Sequence, residues 1–353
     1  MTGPGRAARV PGQREDGGDA ADGGRGLRAV ALGGGHGLSA TLSALRQMSE
    51  VADVTAVVTV ADDGGSSGRI RRELGGLLPP GDLRMALVAL AAQDDGGRRW
   101  AELVQHRFGG TGALAGHAVG NLLLAGLMEI LDDPVEALDE VCRLLGVRGR
   151  VLPMSRVPLD MEAEVSGLDE TDPGRLHRIR GQVAVASTPG RVERVRLHPD
   201  RPPACEQAVE AVRTADLVLL GPGSWFTSVL PHLLVPGLRE ALDETAARRV
   251  VVLNLAPEPG ETADFSPEQH LAVLAAHAPE LRVDAVLADA AAVAVPHRLR
   301  RAARAMMGPG GRVHLAPVAA QDPLVPRHEP AALAAALREV LAASAPMPAG
   351  RRA

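Results

Sequence analysis

The stretch Leu27-Arg28-Ala29-Val30-Ala31-Leu32-Gly33-Gly34-Gly35-His36-Gly37-Leu38-Ser39 decides the fold. From Arg28 to Leu32 the run is apolar after its first residue, without the polar alternation of a half-solvated strand. It reads as a strand covered on both faces. A glycine loop follows, and a helix is predicted from Ser39 to Met48. Strand, glycine turn and helix in that order open a parallel α/β unit.

The same rhythm continues outward. Val54 to Val60, Leu217 to Leu220, Val250 to Leu255 and Ala285 to Ala288 read as further strands, and a final helix runs from Ala331 to Ala342. The expected fold is a Rossmann-like, doubly wound α/β domain with a mainly parallel sheet and helices on both faces. Right-handed crossovers place the strand C-termini along one edge, where ligands bind. Gly181 to Ala186 and Val192 to Leu197, separated by Ser187-Thr188-Pro189-Gly190, read instead as a hairpin within an antiparallel insertion spanning about 151–200. Residues 27–342 form one domain in this reading. Residues 1–26 are expected to be a disordered tail and 343–353 a frayed C-terminus.

Composition narrows the function. The 353 residues carry a formal charge of -5 and no lysine, so nothing forms a basic field for nucleic acid. Cys142 and Cys205 are the only cysteines, too few for a disulfide framework and without zinc-site spacing. The first 27 residues lack an apolar signal core, and no apolar run is long enough to span a bilayer. A cytoplasmic protein is expected.

Three small-residue loops fall on the ligand-binding edge. Gly33, Gly34, Gly35, His36 and Gly37 precede a helix start, where glycines let backbone N–H groups approach a phosphate. A tight corner would use the same glycines. The second loop is Ala61-Asp62-Asp63-Gly64-Gly65-Ser66-Ser67-Gly68-Arg69. Asp62 and Asp63 can accept from sugar hydroxyls or hold Mg²⁺ against a diphosphate, and Ser66, Ser67 and Arg69 can meet phosphates. Either aspartate can also simply cap the helix that follows. The third loop, Gly221-Pro222-Gly223-Ser224-Trp225-Phe226-Thr227-Ser228, offers the hydroxyls of Ser224 and Thr227, with Trp225 and Phe226 as stacking groups or as core.

Other residues gather around these loops. Asp82 is placed to cap the helix after Pro79-Pro80-Gly81, and Arg84 in its first turns requires a phosphate or an aspartate as partner. His117 and Asn121 are four apart, a spacing that on a helix gives them one face. Asn254, at the end of a strand, either reads a base edge or fixes its loop.

Gly33 to Ser39, Thr59 to Arg69 and Pro79 to Arg84 together resemble the gluconeogenesis-factor family. So do Gly116-His117 with Gly120-Asn121-Leu122, Gly221 to Ser224 with Thr227-Ser228, and Pro259-Gly260-Glu261-Thr262. The resemblance covers about 28 to 330, and the double-aspartate loop is its most specific part. Family members are similar in fold to 2-phospho-L-lactate transferase, a Mg²⁺-dependent enzyme that uses a nucleotide-activated phospholactate.

The resemblance implies binding of UDP-sugars such as UDP-N-acetylglucosamine, and control of cell shape and peptidoglycan precursor flow during gluconeogenic growth through a protein partner. It also implies a regulator rather than a catalyst, and a homodimer as the expected assembly. A Mg²⁺-dependent transferase is the alternative. A plain dinucleotide-binding domain leaves the Gly64 to Arg69 extension unexplained. Two positions depart from the family: His36 stands where a threonine is common, and Phe265 where a tyrosine is common. Phe265 is expected to stack on uracil without donating a hydrogen bond.

Overall fold

The computed structural model describes residues 25–258, 260–263, 265–321 and 326–343. The expected tail therefore lies outside the described residues except for Arg25 and Gly26, and so does the expected frayed end except for Ala343.

The first half of the chain runs β1 (Leu27–Gly33), α1 (Gly35–Leu45), β2 (Val51–Val58), α2 (Gly65–Leu74), α3 (Pro80–Leu90), α4 (Asp95–Gln105), α5 (Val119–Leu131), α6 (Pro134–Leu144) and β3 (Arg150–Pro153). The insertion holds β4 (Asp160–Ser166), β5 (His177–Arg180), α7 (Gln182–Ala186) and β6 (Arg191–His198). Then come α8 (Glu206–Thr214) and β7 (Leu217–Leu220), a π-helical turn at Trp225–Val229 and a 3-10 turn at Leu230–Leu234. The chain continues through α9 (Pro236–Glu244), β8 (Arg248–Val252), α10 (Pro267–His277), β9 (Val283–Asp289), α11 (Pro296–Ala303), β10 (Met307–Ala316) and α12 (Pro330–Ala342).

Seven strands form one sheet in the order β10-β9-β8-β7-β1-β2-β3. Every pairing in it is parallel. Strands buried on both faces need continuous apolar sequence, and Leu217–Leu220 is fully buried along its length. The chain steps from β1 to β2 in one direction and from β7 to β8 in the other. With right-handed crossovers, α1 and α9 therefore lie on opposite faces. The direction of winding changes between β1 and β7, where a doubly wound sheet opens its ligand crevice.

The insertion is antiparallel, in the order β5-β4-β6. Its composition differs from the expected hairpin: Gln182–Ala186 is a short helix, and the partners of β6 and β5 both come from Asp160–Ser166. The edge strand Met307–Ala316 escaped the sequence reading because Gly308, Pro309, Gly310 and Gly311 interrupt its apolar pattern. Its register accordingly shifts between Met307 and Arg312.

Candidate functional site

At the crevice the helix α1 starts four residues earlier than its sequence indicated, directly on the glycine loop. Gly33 ends β1, Gly34 is the N-cap residue, and Gly35, His36 and Gly37 form the first helical turn. No side chain of α1 itself caps it and no acid lies in its first turn. Its N-terminus, the positive end of the helix dipole, thus faces the crevice. A Cβ on Gly37 would fall 2.2 Å from the Pro222 carbonyl oxygen, so only glycine lets the first and third loops pack together. Thr41 Oγ1 donates to Gly221 O at 3.3 Å across the same contact.

The third loop is held by Asn254. Its Oδ1 accepts from Gly223 N–H and its Nδ2 donates to Gly223 O, both at 2.9 Å. Of the two roles open to Asn254, the structure assigns the fixing of the loop. Beside these residues opens a cavity of about 740 Å³, walled by His36, Ser39, Ser43, Asn254, Glu258 and His328 among others. Ser43 and His328 were missed by the sequence reading, because His328 belongs to the segment before α12 and reaches the cavity only through the fold. Burial pushes the His328 imidazole down to about 4, so it is neutral near pH 7.

Trp225 and Phe226 are fully buried, and the indole Nε1 donates to His270 O at 3.0 Å. Both are core, and neither is available to stack on a base. Phe265 is 6% exposed and packs edge-on against Phe226 and His270, with ring centroids 5.9 and 5.5 Å away. That position is a correction to the stacking role expected for Phe265. Its ring is spent on an aromatic cluster and borders a separate cavity of about 300 Å³ under the insertion. Ser224 holds the N-cap position of the π-helical turn without a side-chain capping bond, and Thr227 lies buried in the turn beside Glu261.

The two aspartates of the second loop diverge. Asp63 Oδ1 accepts the Val183 N–H at 3.0 Å at the start of α7, so this carboxylate ties the loop to the insertion. Asp62 Oδ1 accepts from Gly64 N–H at 2.8 Å, which fixes the turn into α2. Its other oxygen looks toward Gly81 and Ser67. Burial raises the Asp62 carboxyl above its ordinary range, against the lowering by the Gly64 and Ser67 hydrogen bonds.

Asp82 is not the cap of α3, since Pro79 holds that position. Its carboxylate instead faces Gly34 and Gly35, and the Gly35 N–H bonds to it. Desolvation, then the charge of Asp62, push it up to about 7. Asp62 therefore interacts with two carboxylates, its neighbour Asp63 and, from a different loop, Asp82. No group of three or more acidic, histidine or cysteine side chains suited to a metal occurs among the described residues.

Behind this loop lies a buried polar chain. Arg84, 3% exposed, donates from Nε to Asn121 Oδ1 at 2.8 Å. Asn121 Nδ2 donates to Ser66 Oγ at 2.9 Å, and that hydroxyl sits 2.9 Å from His117 Nδ1. Asn121 and His117 do converge, but through Ser66 and not along one helix face, because His117 precedes the Ala118 N-cap. Ser67 accepts the Gly81 N–H, and Arg69 donates to the Ala115 carbonyl at 2.7 Å. Both hold neighbouring loops in place.

The sequence of the 2-phospho-L-lactate transferase CofD family matches residues 29–309. A Mycobacterium tuberculosis protein provisionally named gluconeogenesis factor is 61% identical over 316 residues, 89% of this chain and 90% of that protein. The gluconeogenesis factor of Halalkalibacterium halodurans is 40% identical over 258 residues, 73% of this chain and 76% of its own. A crystal structure of a UPF0052 family member from Bacillus halodurans superposes with a TM-score of 0.78 at 33% identity, covering 90% of this chain and all of that one. With the parallel sheet, the double-aspartate loop and these similarities together, the chain belongs to the gluconeogenesis factors of the CofD family.

Proposed function

We propose that the chain is a cytoplasmic UDP-sugar-binding regulator, with UDP-N-acetylglucosamine as its ligand, that adjusts peptidoglycan precursor flow and cell shape during gluconeogenic growth through a protein partner. One observation carries the reading: the start of α1, capped by no side chain of its own helix, opens onto a cavity of about 740 Å³ at the winding switch between β1 and β7. That volume suits a nucleotide sugar. The first-turn N–H groups after Gly35 suit its diphosphate, and Ser39, Ser43 and Glu258 offer partners for sugar hydroxyls.

Where Mg²⁺ takes part, Asp62 and Asp82 are the residues that would hold it, leaving most of its shell to water and phosphate oxygens. The ion would neutralise diphosphate charge. Asp63, expected beside Asp62 as a ligand, spends Oδ1 on the Val183 N–H and would offer Oδ2 to the ion.

The test is thermal unfolding with UDP-N-acetylglucosamine, UDP-glucose, GDP and NAD, each with and without Mg²⁺. A rise in midpoint confined to UDP-sugars supports the regulator. The Asp62 and Asp82 pair keeps a second reading in play, a Mg²⁺-dependent transferase of the phospholactate type. A rise with GDP and Mg²⁺ but not with UDP-sugars selects it.

A further inference from the structure

We propose that the cavity of about 300 Å³ between the antiparallel insertion and the loop after β8 is a second ligand site, built for a small zwitterion with an ammonium and a carboxylate, the chemistry of an amino acid. Among the described residues it shares no lining residue with the α1 cavity, and it has less than half that cavity's volume of about 740 Å³. An amino acid fits it and a nucleotide sugar does not.

Glu261 is the first reason. This wall residue is 2% exposed; its Oε1 accepts the Phe226 N–H at 3.3 Å, and its Oε2 has no hydrogen-bond partner among the described residues. Thr227 and Glu258 act on the carboxyl, but neither comes close enough to bond Oε2, and the buried Thr227 hydroxyl is itself without a partner. Buried polar atoms left unmatched cost free energy that a donor from the cavity would recover. An ammonium brings three donors and the opposite charge.

The rest of the wall is closely built. A Cβ on Gly260 would fall 2.1 Å from the Ala186 carbonyl oxygen, and one on Gly190 would fall 2.5 Å from Val165 Cγ1, so glycine at both positions lets loop and insertion close together. Phe265 and Pro189 supply apolar surface. Arg191 adds a cation from β6, its side chain 64% exposed and its ion pair to Glu193 as long as 3.6 Å. So open a pair holds its guanidinium weakly, and a ligand carboxylate matches the fork better.

The proton on Glu261 gives the site a signature. Burial, then Glu258, push its carboxyl up to about 8, so near neutral pH it is protonated until a cation arrives. Around it, β6 adds Arg191 and Glu193, α10 adds the neutral His270 behind Phe265, and the π-helical turn and α7 add no titratable group. An ammonium favours the ionised carboxyl, and its binding releases the proton.

Thermal unfolding of the full chain near neutral pH with each of the standard amino acids, followed by calorimetric titration of those that raise the midpoint, tests the proposal. At least one should bind saturably, and its analogues lacking the ammonium or the carboxylate should not. Glu261→Gln should weaken binding at least about tenfold, the loss of a charge-assisted pair. Arg191→Gln, at an exposed position, should weaken it several-fold. Titration in two buffers of different ionisation enthalpy should show proton release from wild type and none from Glu261→Gln, which a merely structural carboxyl would not give.

A midpoint that no amino acid moves overturns the proposal, as does an affinity untouched by both substitutions. Should Glu261→Gln fail to fold, Arg191→Gln and the proton release of wild type decide. Simultaneous binding with UDP-N-acetylglucosamine supports the separate cavity, and competition between the two overturns it. Amino-acid binding by a chain that ignores UDP-sugars would sink the functional reading alone.

Discussion

The carboxylate of Asp63 accepts the backbone N–H of Val183 across 120 positions of sequence, so the loop after β2 caps the short helix of the antiparallel insertion. Through this bond the insertion and the ligand-binding edge hold each other in place. Asp63→Ala should remove a cap worth about 1 kcal/mol and speed amide exchange in Gln182–Ala186. Asp62→Asn should leave that exchange unchanged. Hydrogen exchange on the two variants separates the adjacent aspartates; equal effects would contradict the division of roles.

Gly37 tests the packing of the first and third loops. Gly37→Ala places a methyl against the Pro222 carbonyl, a backbone atom that cannot turn aside. The expected cost is about 1–3 kcal/mol in urea unfolding, together with loss of UDP-sugar binding. A variant with wild-type stability would show that the loops do not meet as described.

Phe265 distinguishes core from ligand contact. Phe265→Ala should cost about 3 kcal/mol of stability by opening a cavity beside Phe226 and His270. The UDP-sugar affinity of the remaining folded protein should be unchanged. A fall in affinity with little loss of stability would return the ring to the ligand site.

Asp82 and Glu261 set a pH dependence. Burial, then Asp62, raise Asp82 to about 7, and burial, then Glu258, push Glu261 upward as well. In the window between the unfolded value near 4 and these raised values the native state binds more protons than the unfolded chain. Stability should therefore be greatest at the acidic end and fall as pH rises through about 7. Asp82→Asn and Glu261→Gln should each flatten the curve, gaining stability at pH 8 relative to wild type and little at pH 5. Mg²⁺ favours the ionised form of Asp82, so its effect on the midpoint should grow over the same window.

What could be read from sequence followed the range of the forces involved. Arg28 to Leu32 and Leu217 to Leu220 announced buried parallel strands because continuous apolar sequence is a local consequence of being covered on both faces. Gly181 to Ala186 looked like a strand by its Val and Ala content, and became helical where Asp63, from a distant loop, met its first amides. Arg84 declared its need for a partner by its place near a helix start. Its answer, Asn121, lies 37 positions away on another helix, and no spacing rule finds it. Adjacency in sequence showed Asp62 beside Asp63, whereas the third carboxylate, Asp82, joins them only through the fold.

The most direct measurement is calorimetric titration of the wild-type protein with UDP-N-acetylglucosamine at pH 7.5, paired with its unfolding midpoint at saturation. The account predicts one saturable site and, at about 100 times the dissociation constant, stabilisation of about 2.7 kcal/mol. No heat of binding and an unmoved midpoint would contradict it.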